Sequence, residues 1–466
     1  ATGLDPGETD RTMRSGYRAG TRKPRQVSPL QSGGGGVVLS TGGAAAEPAP
    51  TAAESAAEAL WDARPVLTHL RTFARARRAS PWAVLGVTLA RVVCMTPLNV
   101  LLPPLVGGYG SVNLFVTLVG APGAGKGASE AAGHDAVNLG TTVPYVRAQV
   151  GSGEGILHTY ARRTKDGIER IADSALFSIP EVDALTALGS RQGATLLPTL
   201  RSAWVGEQIG FGYADPTRRL TVDAHTYRMG LILGVQPERA GAIFAEAGGG
   251  TPQRFLWLPA VDPDAPDEPP DEPEPWPWRR PPVPEVELRS GHHLIDVCQR
   301  ARDEIDADRL ARLRGVDPSD DLDSHAMLMR LKVAAALGAL DGRHQVGDED
   351  WQLAGLVMAA STATRGRVEA ALASAARARV LARAHEEADR ADVVDDTRHA
   401  RQVERVAAGI VRVLAREGQL PTGKTKKKIA FRDRDVFDEA LANEVEAGRV
   451  EVFVGDGGTE CLRVRG

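Results

Sequence analysis

Val116-Thr-Leu-Val-Gly120-Ala-Pro-Gly-Ala-Gly-Lys126-Gly127 is the stretch on which the reading of this chain turns. A short apolar run fit for a buried strand opens into a glycine-rich loop, and the residues after it read as the start of a helix. Gly120, Gly123 and Gly125 let the backbone curl so that successive N–H groups point inward, as anion binding requires. Lys126 adds a full charge, and Gly127 and Ala128 open a helix whose positive dipole end faces the same point. Gly120, Gly125 and Lys126 fit the G-x-x-x-x-G-K core of a phosphate-binding loop, so a nucleoside triphosphate is the expected ligand; a glycine-rich turn without a ligand is the plainer alternative. The hydroxyl residue that ordinarily follows the lysine and ligates Mg²⁺ is replaced by Gly127.

Downstream, two apolar runs end in polar groups. The first is Ala175-Leu-Phe-Ser-Ile-Pro-Glu181-Val-Asp183. A parallel-sheet nucleotide-binding fold is expected to place this strand beside the loop strand, with Glu181 activating water and Asp183 reaching Mg²⁺. Surface acids capping a helix begun near Asp183 are the plainer reading. The second run, Met229 to Val235, ends at Gln236, whose amide can donate to a γ-phosphate and accept from water. Beyond it, Arg254, preferred to Arg239, is expected to stabilise charge in phosphoryl transfer from a neighbouring subunit, against a structural salt bridge. Between the runs, Gly206 to Tyr227 reads as a hairpin with Arg218 and Arg219 at its tip, fit either to touch a nucleic-acid backbone or to be a plain surface hairpin.

Around this core the chain divides by composition. Residues 1–55 read as a disordered arm rich in Gly, Ala, Ser and Pro. Residues 56–110 read as an N-terminal helical subdomain whose Arg71, Arg75, Arg77 and Arg78 form a solvated or inter-subunit face, with a DNA surface as the alternative. The core spans 111–260, and 261–286 is an acidic, proline-rich linker docked through Trp276 and Trp278. Residues 287–395 read as a helical lid and connector, and 396–466 as three helices followed by a hairpin, the winged-helix arrangement. There Lys424, Lys426, Lys427, Lys428, Arg432 and Arg434 gather near the start of the presumed recognition helix and would neutralise phosphate. That helix is itself acidic, so contacts to the DNA backbone rather than to bases are expected, with a protein-binding module as the alternative.

Composition narrows the classes. Charged residues at 25%, hydrophobic ones at 42% and a net charge of -4 are ordinary globular values, so nucleic-acid contact has to come from local patches. Cys94, Cys298 and Cys461 lack metal-ligand spacing and fit a reducing, cytoplasmic setting. No apolar run approaches about 18 residues, which excludes a membrane-spanning helix, and the N-terminus lacks the order of a secretory signal.

The loop is similar to that of adenylate kinases, where Gly also follows the Lys, but that likeness covers the loop alone. From Trp61 onward the order of parts resembles an ATPase family of bacterial mobile elements and phages, often encoded beside or fused to primase-polymerases, whose members are taken for replicative helicases. The stretches that carry it are Arg75-Ala-Arg-Arg-Ala-Ser-Pro-Trp82-Ala-Val-Leu-Gly, the loop, Pro180-Glu-Val-Asp183, Gly234-Val-Gln236-Pro237 and Thr251-Pro-Gln-Arg254-Phe. Arg330 to Asp350, followed by a winged helix, resembles the C-terminal half of minichromosome-maintenance helicases, which by analogy makes Arg330 a second sensor of nucleotide. The resemblance implies an α/β fold: a P-loop NTPase core of the AAA+/RecA-like kind with an N-terminal helical subdomain, a helical lid and a C-terminal winged-helix domain. It further implies ATP and Mg²⁺ as cofactors, a homo-oligomeric ring with a hexamer favoured, single-stranded or forked DNA as partner, and a primase-polymerase as a further partner. Two other functions fit the residues: an ATP-switched DNA-binding initiator or regulator that never unwinds, and a nucleotide kinase.

Overall fold

Five parallel strands form the central sheet of the computed structural model, which describes residues 59–140, 144–165, 167–183, 195–211, 220–245, 250–283, 291–315, 325–455 and 458–465. The strands are β1 (Leu114–Val119), β2 (Tyr145–Gln149), β3 (Ser174–Ile179), β4 (Arg228–Val235) and β5 (Leu256–Pro259), in the spatial order β5-β1-β4-β3-β2. Every residue of β1 and β4 is buried, as a parallel sheet covered on both faces requires. The strand ending at Glu181 was expected beside β1. Instead β4 lies between them, pairing Leu231 with Phe115 on one side and with Phe177 on the other. The physical reason is burial, since the eight apolar-lined residues of β4 are buried throughout while Ser178 of β3 is not.

Helices α1 (Pro65–Ala76) and α2 (Pro81–Met95) do not form a separate subdomain. Every residue of α2 except Trp82 is buried, and the helix lies directly on the sheet. A Cβ on Gly86 would stand 2.5 Å from Leu258 and 2.7 Å from Val116, and one on Gly230 would stand 2.8 Å from Cys94 Sγ; glycine sets this close approach. Helix α3 (Lys126–Asp135) packs on α2 where Gly133 meets Val87. The connections between strands carry α4 (Gly153–Tyr160), α5 (Leu196–Val205) and α6 (Gly241–Ala245).

Three of the four arginines at the end of α1 and just beyond it, Arg75, Arg77 and Arg78, are engaged by the acidic segment after β5, while Arg71 pairs with Asp62. Arg75 pairs with Asp262 at 2.9 Å, Arg77 with Glu272 at 2.6 Å and with Asp135, and Arg78 donates to the carbonyls of Pro266 and Asp267. Farther along, Trp276 stacks near His69, and the Trp278 indole N–H donates to Ala339 O at 2.9 Å. Arginine on the helix and carboxylates on the strap neutralise each other within the chain.

Helices α7 (Gln299–Leu313) and α8 (Ala326–Leu340) were expected as part of a lid. Instead, α8 is core: Met329 and all of Leu331–Leu340 are buried. Its Lys332 ammonium donates to the carbonyls of Ser111 (2.5 Å), Trp204 (2.6 Å) and Asn113 (3.0 Å), just before β1 begins. Apart from Lys332, the run Leu331–Leu340 is apolar or glycine, which leaves the helix no polar face with which to stay at the surface.

Helix α9 (Asp348–Glu417) runs unbroken for 70 residues, roughly 105 Å. Its first third packs along β5, where Ser361 Oγ accepts from Trp257 N at 2.8 Å. Residues 376–401 are exposed on every side. The last turns join α10 (Thr422–Lys428), α11 (Phe437–Glu446) and an antiparallel sheet of β6 (Leu420–Pro421), β7 (Val450–Val454) and β8 (Glu460–Val464), ordered β6-β8-β7. This unit has its own core of Val403, Val406, Ile410, Leu414, Phe437, Val450 and Leu462. Among the described residues no helix is long and apolar enough to cross a membrane. Residues 1–55 and the hairpin tip with Arg218 and Arg219 lie outside the described residues; the strands flanking that tip, Ile209–Phe211 and Leu220–Val222, pair antiparallel.

Candidate functional site

The glycine-rich loop leaves the C-terminal end of β1. Gly120 N–H donates to Val235 O at 3.0 Å, which fastens the loop's first residue to the end of β4. A Cβ at Gly120 would lie 2.8 Å from that of Ala124, and Gly123 and Gly125 take φ of 79° and 81°, backbone that side-chain-bearing residues adopt at a cost. Gly125 caps α3 without a side chain, so the first amides of the helix, at Lys126, Gly127 and Ala128, have no side-chain acceptor and face the loop. Lys126 Nζ folds over the loop and donates to Gly120 O (2.9 Å) and Ala121 O (3.2 Å). All six loop positions singled out in the sequence therefore come together.

Gly127 borders open space, so its lack of a hydroxyl is not a matter of room. Ser129 is no substitute, because it is fully buried and its Oγ accepts from Ser80 N at 3.3 Å.

Glu181 and Gln236 meet beside the loop. Gln236 Nε2 donates to Glu181 Oε2 at 2.7 Å. The meeting depends on Gly234, where a Cβ would stand 1.9 Å from Pro180 O; only glycine lets the chain leaving β3 cross the end of β4. Since β4 separates β1 from β3, the loop and Glu181 are two strand spacings apart, roughly 10 Å, with the Gln236 amide between them. Asp183 is ion-paired with Arg239, a pairing of distant residues that the sequence does not signal. Helix α9 also passes here, with Leu372 against Gly241, and that neighbour was missed because the helix was read in pieces.

Two expected site residues lie elsewhere. Arg254 ends a 3-10 turn (Pro252–Arg254) just before β5, at the N-terminal edge of the sheet, with the length of the strand between it and the end that flanks the loop. There it donates to Gly250 O and lies 5.7 Å from the Trp204 ring; burial, then Arg201, lowers its pKa. Arg330 does not reach the loop either. It donates to Glu304 (2.8 Å) and to Trp351 O (3.0 Å) and stacks 3.9 Å from the Trp351 ring. Trp351 precedes Ser361 by ten helical residues, roughly 15 Å, toward the edge opposite the loop. The physical reason is that α8 is a core element, so its arginine is spent joining α7 to α9.

A cavity of about 240 Å³ lies past the end of β5, lined by Trp82, Pro259, Asp262, Ala360 and Thr364 among others. Two of its lining residues, Pro259 and Val261, flank Ala260, whose Cβ would stand 3.3 Å from one on Gly120. No group of three or more His, Cys, Asp or Glu side chains among the described residues is arranged to hold a metal ion by itself.

In the C-terminal unit, Lys424, Lys427, Lys428 and Arg432 are exposed. Lys426 is paired with Asp438 at 2.7 Å and Lys428 with Glu417 at 2.6 Å, while Arg434 is turned onto the carbonyls of Ile429 and Lys427. The basic cluster is real, and about half of its charge is compensated locally.

No family model matches the chain, and a search of curated proteins returns no match.

Proposed function

We propose that the chain is an ATP-hydrolysing motor that forms a ring and moves along DNA, a replicative helicase of the AAA+/RecA-like kind. The observation that carries this reading is the row of groups along the strand ends: glycine loop and Lys126 after β1, Gln236 after β4, Glu181 after β3. Loop amides and Lys126 would take the β- and γ-phosphates, and Glu181, held by Gln236, would orient and deprotonate the attacking water. The loop fits a phosphate chain, since its glycines leave the centre open, and the cavity lined by Trp82 and Thr364 has room for a base. Mg²⁺ would neutralise phosphate charge, and the residues available to it are Asp183 and Glu181, the number of carboxylates usual where phosphates and water complete the shell. Arg254, bound to Gly250 O and lying against Trp204 on the far side of its own sheet, takes no part in its own site, and a ring would have to bring a cation from a neighbouring copy. The C-terminal helices and three-stranded sheet, read as a winged helix, supply the DNA contact.

Lys126→Ala is expected to abolish DNA-stimulated ATP hydrolysis and strand displacement together, a loss of at least about a hundredfold. Glu181→Gln should bind ATP normally and turn over slowly. Full turnover by Lys126→Ala would remove the reading; hydrolysis without strand displacement on forked DNA would leave an ATP-switched initiator.

A further inference from the structure

Phe431 is 86% exposed, more than any other large apolar side chain among the described residues. It stands in the turn Phe431–Asp433 between α10 and α11. That turn is fixed from beneath. Buried Asp433 accepts from Arg405 at 2.9 Å and Gln402 at 3.4 Å, and Arg434 donates to Ile429 O at 3.0 Å and to Lys427 O at 2.5 Å. The Arg434 guanidinium lies 5.7 Å from the Phe431 ring centroid. A rigid backbone thus holds an aromatic ring in water with one cation beside it, and Lys424, Lys427 and Arg432 are exposed within a few residues.

An aromatic ring set among cations matches the two recurring features of single strands, a phosphate at each step and a base with a flat apolar face. A duplex keeps its bases stacked on one another and offers the ring nothing. Helix α11, moreover, exposes Asp438, Glu439 and Glu446, which oppose a duplex backbone laid along it. A single strand can bring phosphates to the turn and a base to the ring without crossing those acids.

We propose that Phe431 is a stacking platform for an unpaired base, so that the C-terminal unit binds single-stranded in preference to duplex DNA. This rests on the reading of the chain as a DNA-binding motor, and it replaces the expectation of backbone contacts alone.

The test is fluorescence anisotropy of the full chain with an oligothymidylate, an abasic strand of the same length and a duplex. The two single strands carry the same phosphates and differ only in bases. Wild type is expected to bind the thymidylate about tenfold more tightly than the abasic strand. Phe431→Ala should bind both at the wild-type abasic affinity, and that retained binding reports a folded protein. Phe431→Trp should keep the preference. Lys427→Ala should weaken both strands alike and reduce the salt slope by about one. Equal binding of the two strands by wild type, or a preference that survives in Phe431→Ala, overturns the proposal, the first outcome leaving the ring as an anchor for a protein partner. ATP hydrolysis stimulated by DNA is recorded on the same variants, so a motor that runs without base stacking is distinguished from a chain that is no motor.

Discussion

Lys126 and Lys332 stand at opposite edges of one sheet, and each ammonium group donates to backbone carbonyls. Lys126 reaches the carbonyls of Gly120 and Ala121 from a half-exposed position, where water or a phosphate can take over the same donors. Lys332 is fully buried against three carbonyls and 4.5 Å from the Trp204 ring, and burial pushes its pKa well below the usual lysine value. Close by, Arg228 is also fully buried, donating to four carbonyls between Thr96 and Val100 and to Ser111 Oγ; burial brings its pKa down to about 10. The same chemical pairing serves as a lock where water is excluded and stays open to exchange where it is not. Buried cations at the N-terminal strand ends, the inner edge, tie loops to the strand starts, whereas at the C-terminal ends, the outer edge, Lys126, Gln236–Glu181 and Asp183–Arg239 make their pairs where water reaches them.

The strongest way to break this comparison is to remove each charge at nearly constant shape. Lys332→Met leaves the carbonyls of Ser111, Asn113 and Trp204 dry, and a loss of about 3–5 kcal/mol is expected. Lys126→Met should alter stability by no more than about 0.5 kcal/mol while abolishing nucleotide binding. All 7 tryptophans fall between Trp61 and Trp351, so their fluorescence in a urea titration follows the sheet and not the C-terminal unit. Equal midpoints for Lys332→Met and wild type would mean that the inner edge is not held by its buried ammonium.

Acid should attack the inner edge next. His325 lies against Trp204, with ring centroids 5.5 Å apart, and burial with nearby Arg254 lowers its pKa to about 4; His134 and His344 are lowered to about 4 as well, burial again leading. In the unfolded chain these rings take protons near pH 6.5. Unfolding therefore takes up protons between about pH 6.5 and 4, and stability falls as pH falls through that window. The rings are only partly buried, so about 1 kcal/mol each is a fair expectation after solvent screening. Urea midpoints at neutral and acid pH, for wild type and His325→Gln, check this. The variant should lose less on acidification, and an identical loss would clear His325 of the effect.

How much of this was legible in the sequence depended on whether the controlling contacts were local. The loop was, because Gly123, Gly125 and Lys126 act on their own backbone. The runs now seen as β3 and β4 were also plain, being continuous apolar stretches with polar ends. Their order in the sheet was not, since it is settled by which strand can be buried on both sides. Asp183–Arg239 and the strap over Arg75, Arg77 and Arg78 are pairings between distant residues that leave no periodic trace. Helix α9 is a different case: its 70 residues hold no proline and only Gly355, Gly366 and Gly409, so its continuity was written in the sequence and lost by dividing it at changes of composition. Arg330 was misplaced because an arginine looks the same whether it grips a phosphate or, as here, Glu304 and a tryptophan.

The smallest predicted effect probes the slack at the outer edge. Gly127 sits in the first turn of α3 with nothing within 4 Å of a Cβ built upon it, so Gly127→Ser meets no clash, and better helix propensity should raise stability by about 0.5 kcal/mol. Should Asp183 and Glu181 be the metal's only protein ligands, a serine hydroxyl beside the phosphates supplies a third, and ATP hydrolysis should saturate at several-fold lower Mg²⁺. Releasing Asp183 by Arg239→Ala should act in the same direction, because it frees a carboxylate after β3 as the serine adds a hydroxyl at the loop, and neither change touches Lys126. A Mg²⁺ dependence that neither substitution moves would place the ion away from position 127 and from the end of β3. A small gain from both would make the outer edge what its open space suggests, a site whose metal grip is weaker than its loop allows.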